Sequence, residues 1–263
     1  MRYMIPALLS WAVLCGAAFA FDAADVPRAD IMIVGEVHDN PIHHAAQALV
    51  VAQAQPKAIV WEMLTPVQAA LVTPALVQDV GRMAETLGWA EARWPDFAMY
   101  HPVFAAAPHA ATYGAAVPRD VVSGVVKGSL EDAFDAAAAY GLDRDLSIAE
   151  QRAREALQFA AHCNALPQDL VPGMVKAQRL RDAVLAQAAV QALADTGGPV
   201  VVITGNGHAR KDWGVPSYLV RVAPDAIVWA IGQGEDGNAP DGGFDVIWDA
   251  PAQTRPDPCT AFK

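Results

Sequence analysis

Short runs of β-branched and aliphatic residues are spaced along this chain between longer stretches whose apolar positions recur every three and four residues. Ile31–Val34, Ala58–Trp61 and Val200–Thr204 are such runs. Each is apolar at every position or nearly so, as a strand covered on both faces must be. Tyr113–Val117, Tyr218–Val222, Ala226–Ile231 and Phe244–Trp248 read as further strands. Helical spacing predicts Ile42–Gln53, a set of helices from Pro66 to about Glu91, and Val103–Thr112. It also predicts a run of helices over 121–194, most clearly Ile148–His162 and Val171–Ala194. Trp94-Pro95 marks a loop, and the Gly/Asp-rich stretch Gly232–Gly243 a turn or loop between the last two strands. The order is βαβα, a helical insertion, βαβ and a β-rich end. That predicts an α/β fold: a mixed, mainly parallel central sheet with helices on both faces and an α-helical insertion.

The N-terminus stands apart from this pattern. Arg2 is followed by the apolar stretch Met4–Ala18, and Ala18-Phe19-Ala20 has the small-x-small form of a cleavage site. Residues 1–20 therefore read as a secretory signal peptide, which predicts an exported, periplasmic protein. Cys15 follows Leu14 rather than the small residue that precedes a lipidated Cys, which argues against lipid anchoring there. No second long apolar run follows, so no transmembrane segment is expected in the mature chain. Residues 21–250 read as one domain and 251–263 as a Pro-rich polar tail. With 18 basic and 29 acidic residues and a net charge of −11, the protein is a poor match for nucleic acid or an anionic membrane surface. A local arginine cluster can still hold an anionic small ligand. Removing the leader leaves Cys163 and Cys259. In an exported protein such a pair is expected to form a disulfide. Zinc ligation is the rival reading, although neither Cys sits in a CxxC pair.

The candidate chemistry gathers just past the strand ends. Glu36 and His38 follow the first strand and share a side if the chain stays extended. Glu62 ends the second strand, Arg119 follows Tyr113–Val117, and His208 follows Val200–Thr204. If those strands are neighbours, Glu36, His38, Glu62, Arg119 and His208 converge. Glu36, His38, Glu62 and His208 would then form a divalent-metal or acid–base cluster, with the Arg119 guanidinium placed for a carboxylate, phosphate or oxyanion. Replacing His208 by Ala is expected to weaken ligand or metal binding and leave the fold intact. Gly205 and Gly207 suit a tight turn, and Asn206 is placed to orient a ligand.

These segments resemble the ChaN family of haem-binding uptake proteins, within the wider Tiki/TraB/erythromycin-esterase-like superfamily. The matching elements are Gly35-Glu36-Val37-His38-Asp39-Asn40 with His43 and His44, Trp61-Glu62-Met63, the segment Trp94 to Pro102, and Val117-Pro118-Arg119. To these is added Gly205-Asn206-Gly207-His208-Ala209-Arg210 with Asp212, Gly214, Val215 and Pro216. The resemblance runs from about residue 30 to 222. It implies an α/β fold with a helical insertion and a role in haem and iron uptake at the cell envelope, with a homodimer closing over haem. Superfamily relatives that are metal-dependent proteases or esterases use the equivalent Glu and His positions, so a metal-dependent hydrolase using Glu36, His38, Glu62, Arg119 and His208 is the alternative. For haem, Tyr100 and His101 are the candidate ligands inside the matched segment, with Tyr100 as a phenolate on ferric iron. Arg210 with Lys211, or Arg179 and Arg181, are candidates for the propionates. His109 and His162 have no motif around them.

Overall fold

The computed structural model describes residues 26–257 and 259–260. The expected leader, with Cys15, lies outside them. In chain order the elements are β1 (Ile31–Val34), α1 (Pro41–Ala54), β2 (Ala58–Trp61) and the short helices α2 (Pro66–Ala69), α3 (Pro74–Val77), α4 (Val80–Thr86) and α5 (Trp89–Ala92). Then come α6 (Phe97–Ala106), β3 (Ala111–Gly114), α7 (Arg119–Lys127), α8 (Ala137–Tyr140), α9 (Ile148–Ala161) and α10 (Val171–Thr196). The last third holds β4 (Val200–Ile203), α11 (Asn206–Ala209), α12 (Val215–Val222), β5 (Val228–Glu235) and β6 (Val246–Ala250).

The strands form one six-stranded sheet in the order β3-β2-β4-β1-β5-β6. Every neighbouring pair is parallel, so the sheet is not mixed as the sequence suggested. The difference arises between β5 and β6. Residues 236–245 carry the chain back along the sheet without a helix. Phe244 lies against Gly232, where a Cβ would come 2.8 Å from the ring. Asp245 then bonds Ala230 through both its backbone and its carboxylate. Gly232–Glu235, expected in a loop, extend β5 instead.

The apolar strands divide their side chains between two cores. Ile31, Ile33, Val60, Val200 and Val202 face α10 and α12. Met32, Val34, Ile59, Trp61, Val201 and Ile203 face the side covered by α1 and α6. That division is why these strands show no polar alternation. Tyr218–Val222 is not a strand. It is the second half of α12, which opens with Val215-Pro216 behind Gly214; proline in the first turn costs the helix no hydrogen bond. Its Tyr218 and Leu219 join the α10 core, and that packing outweighs the β-propensity of the segment. Helix α6 starts earlier than expected, because the Asp96 carboxylate caps Ala98 N, and it ends before β3 begins at Ala111.

The tail is tied down by ionic and covalent links. Arg255 donates to both oxygens of Asp39 at 2.7–2.8 Å and to both oxygens of Glu235 at 2.6 Å. Cys259 is bonded to Cys163, with Cα atoms 5.4 Å apart across a separation of 96 residues. Replacing both cysteines by Ser should lower the unfolding free energy by about 4–5 kcal/mol in the chain-entropy description of so long a loop. Denaturant midpoints of the oxidised protein and the double variant check this; coincident midpoints would contradict it.

Candidate functional site

The order β2-β4-β1 sets the carboxyl ends of three strands side by side, and each opens into one of the polar segments. Gly35 follows β1 at a position where a Cβ would lie 2.5 Å from the Asn206 side-chain oxygen. Asn206 holds the strand ends in register. Its backbone N–H donates to Glu36 O, and its side chain exchanges two hydrogen bonds with the Gln233 backbone in β5. That amide is therefore committed to the fold and not to a ligand.

Glu36 is buried and gathers three side chains. Oε1 lies 2.6 Å from His38 Nδ1 and accepts from the Tyr100 hydroxyl at 3.0 Å. Oε2 lies 3.2 Å from His44 Nδ1, an ion-pair contact without hydrogen-bond geometry. His44 Nε2 donates to the His38 carbonyl at 2.8 Å, while its Nδ1 faces only acceptors, Gln47 Oε1 and Glu36. Both ring nitrogens therefore carry protons, and His44 is a buried imidazolium. Burial opposes that charge, but the adjacent Glu36 carboxylate outweighs it and holds the His44 pKa above its usual value. The neighbouring His43 is the reverse case. Its Nδ1 accepts from Val37 N and its Nε2 donates to Gly234 O, so it is neutral, and burial lowers its pKa. Burial alone would raise Glu36; His38 and His44 together bring it below the ordinary carboxylate value.

His38 is the open member of this group, with a side chain 35 % exposed. Nδ1 is fixed by Glu36, and among the described residues Nε2 has no hydrogen-bond partner. Burial works against its protonation, but the Glu36 bond and the Glu62 charge raise its pKa overall. Trp94 tilts against its ring at 5.0 Å between centroids.

Glu62 forms a second buried set. Its Oε2 accepts from Thr204 Oγ1 at 2.6 Å and Gly205 N at 2.8 Å, and its Oε1 lies 3.5 Å from His208 Nε2. His208 Nδ1 donates to Asp182 of α10 at 2.6 Å. Burial opposes the imidazolium, yet the Glu62 and Asp182 carboxylates push its pKa up to about 10. The same pairing drives Glu62 far below the carboxylate range, whereas burial keeps Asp182 above it. A Cβ on Gly205 would sit 2.9 Å from His38 Nε2 and 3.8 Å from Glu62 Oε2, so the two sets adjoin across that glycine.

Glu36, His38, Glu62 and His208 are thus brought together, but not as a metal site. Among the described residues no three His, Cys, Asp or Glu side chains are arranged to hold a metal ion. The physical reason is that, apart from His38 Nε2, their ring nitrogens and carboxylates are engaged with one another or with Asp182 in the two sets. Asp182 on α10 is the member the sequence reading missed. Its signal was an acid among the apolar positions of a helix.

Tyr100 is not placed as a haem ligand. It is fully buried, its hydroxyl donates to Glu36, and burial beside that carboxylate drives its pKa upward, against a phenolate. His101 is turned away, with Nε2 on Val77 O at 2.8 Å. Arg210 is buried, paired with Asp212 at 2.6–2.8 Å and stacked on Trp213 at 3.9 Å. Lys211 pairs with Asp245, and Arg179 donates to Gly141 O and Arg144 O. Arg119 and Arg181 instead reach a cleft of about 590 Å³ at the sheet edge. Glu62 and His208 line it, with Met63, Trp94, Val117 and Leu185 as apolar wall and Arg93 as a third guanidinium.

A parallel sheet whose carboxyl edge carries two buried carboxylate–imidazole sets beside a cleft marks an α/β protein with a candidate small-ligand site. The sequence profile of the haem-binding uptake family, Tiki superfamily, ChaN, matches residues 23–219, and the chain belongs to that family. Among solved structures it is similar to "Cofacial heme binding to ChaN of Campylobacter jejuni", at 16 % identity and a TM-score of 0.63 over 83 % of this chain and 86 % of that one. A second similar structure is "The structure of the type III effector HopBA1", at 11 % identity and a TM-score of 0.46 over 85 % and 88 %. No curated protein matches.

Removing His208 would leave Glu62 and Asp182 buried without their shared cation, so the fold is not expected to be indifferent to it. His208→Ala should cost about 3–5 kcal/mol. The His208 pKa is raised, so its contribution is complete below about 6.5 and fades as pH climbs toward about 10. The Glu62 pKa is lowered, so its contribution is complete above about 4.5 and fades as pH falls below that. The stability gap between wild type and His208→Gln should therefore be widest between about pH 4.5 and 6.5 and narrow toward pH 10. Denaturant unfolding across pH measures it, and a gap that stays constant to pH 10 would contradict the imidazolium assignment.

Proposed function

We propose that this protein is an exported haem-binding protein that takes haem into the cleft at the carboxyl edge of its sheet. The observation that carries the reading is His38, whose Nε2 is open while Glu36 fixes its other nitrogen. A carboxylate that orients an imidazole and leaves the far nitrogen free is the arrangement found behind histidine metal ligands. A planar, mostly apolar ligand also suits a cleft walled by Met63, Trp94 and Leu185. His38 would hold the iron, whose redox and ligand chemistry the haem itself supplies. Family membership supports the same ligand. Export rests on the leader-like sequence of residues 1–20; among the described residues no helix is long and apolar enough to cross a membrane. Closure of two copies over haem belongs to this reading as well, and sedimentation with and without haem tests it. The metal-dependent hydrolase is the weaker reading, because Glu36, Glu62 and His208 of the ligand set it requires are engaged in ion pairs and only His38 keeps an open nitrogen.

Ferric haem titrated into the protein should give a saturable Soret band. His38→Ala should shift that band or abolish saturation. Tyr100→Phe should keep the wild-type band positions, since that hydroxyl serves Glu36. A wild-type titration without saturation would overturn the reading, and a band altered by Tyr100→Phe but not by His38→Ala would move the ligand away from His38.

A further inference from the structure

Three guanidiniums converge on the cleft from three separate elements. Arg93 follows α5, Arg119 opens α7, and Arg181 projects from the middle of α10. Among the described residues none of the three side chains takes part in an ion pair or a hydrogen bond. Elsewhere the buried arginines are committed: Arg154 to Glu150, Arg179 to backbone carbonyls, Arg210 to Asp212. One free surface arginine needs no explanation. Three around one cleft, in a chain with 29 acidic and 18 basic residues, do.

The backbone sets the shape of the cleft wall. Arg93 sits at φ 63°, in the left-handed region that a non-glycine residue rarely adopts. Gly88, at the other end of the short α5, has φ 59° and also lines the cleft. The segment between these two bends sets Arg93 and Trp94 on the cleft wall. Arg93 is the left-handed C-cap of α5, and that bend ends the helix where the chain reaches the cleft.

The charges at the cleft do not cancel. His208 is spent on Glu62 and Asp182, which leaves the three guanidiniums facing the Glu91 carboxylate at the cleft. Glu62 is spent on Thr204, Gly205 and His208. The free donors are therefore the planar arginine forks, which match carboxylates two bonds at a time. Beside them lies the apolar wall of Met63, Trp94 and Leu185.

We infer that Arg93, Arg119 and Arg181 form a dicarboxylate-recognition site, so that the cleft selects a flat apolar ligand by its two acid groups, whether or not that ligand carries iron. The inference rests on the cleft being the ligand site of the proposed function, but it involves different atoms: the iron partner is His38, the acid partners are the arginines. The metal-free dicarboxylic porphyrin should therefore bind, and its dimethyl ester should not bind comparably.

The test uses the full protein with metal-free protoporphyrin IX, its dimethyl ester and ferric haem, followed by quenching of tryptophan fluorescence and by absorbance. The free diacid should bind saturably and the diester at least about tenfold more weakly, the loss expected for charge-assisted hydrogen bonds. Arg119→Gln and Arg181→Gln should each weaken the diacid several-fold and leave the diester unchanged. Raising the ionic strength from 0.1 to 1 M, which shortens the screening length from about 10 to 3 Å, should weaken the diacid selectively. Among the described residues the Arg119 and Arg181 side chains form no ion pair or hydrogen bond, so circular dichroism and the unfolding midpoint of these variants should stay close to wild type. If haem binds but diester and diacid bind alike, or the arginine variants bind both as wild type does, the arginine site is overturned and the haem reading stands. If the diacid binds with these dependences while haem gives no band sensitive to His38, the arginine site is supported and the iron assignment fails. If neither porphyrin saturates, both are overturned.

Discussion

A carboxylate buried at the end of a parallel strand must be answered by a cation or a proton, and much of this protein's layout meets that requirement. Glu36 and Glu62 leave adjoining regions of one sheet edge and point inward. Each is neutralised by imidazoles delivered from elsewhere: His38 and His44 for the first, His208 for the second. His208 in turn must satisfy Asp182, which brings α10 to the strand ends. Such pairs are not a cheap source of stability, since desolvation consumes much of the attraction. They fix position. The one imidazole nitrogen they leave unused, His38 Nε2, belongs to a ring held by Glu36 and packed against Trp94, a residue of the cleft wall.

The same constraint explains what was legible in the sequence. Strands covered on both faces show as unbroken apolar runs, so β1, β2 and β4 are visible as Ile31–Val34, Ala58–Trp61 and Val200–Ile203. The polar segments after them are conspicuous because Gly, His and Glu interrupt those runs, and neighbouring strands do bring Glu36, His38, Glu62 and His208 to one place. What the sequence does not display is which polar atoms are already spent. Four ligand-type residues in one place look like a metal site until the hydrogen bonds are counted. Tyr100 looks available for the same reason, although Glu36 holds its hydroxyl. Asp182 sits far from either motif, and its role emerges only when α10 packs on the sheet. Tyr218–Val222 misleads differently: its residues favour strands locally, and the helix is decided by Pro216 and by burial against α10.

Global and local charge oppose one another here, and the opposition is informative. A net charge of −11 repels an anion at long range, but beyond roughly 8–10 Å that field is screened at physiological salt. Inside the cleft the sign reverses, because Arg93, Arg119 and Arg181 are excess over the carboxylates near them. An anionic ligand approaching this surface is discriminated at contact rather than steered from a distance. That favours ligands whose apolar body supplies much of the binding, with the acid groups supplying orientation.

The architecture of the site extends beyond the segment that carries the family motifs. The family match ends at residue 219, yet β5 lies beside β1 and supplies Gln233, whose side chain donates to Gly35 O and His43 O. Glu235, at the end of the same strand, shares Arg255 with Asp39, the residue that follows His38. Asn40, which caps α1 through Ile42 N, donates to Glu235 and to Pro251 O. The loop bearing His38 is therefore clamped from outside by the tail as firmly as it is anchored from inside by Glu36. Because Cys259 joins the same tail to Cys163, just past α9, the strap also links that loop to the helical insertion. The wall made by α10 and the edge that carries His38 are held in one frame by covalent and ionic ties that no single motif encodes.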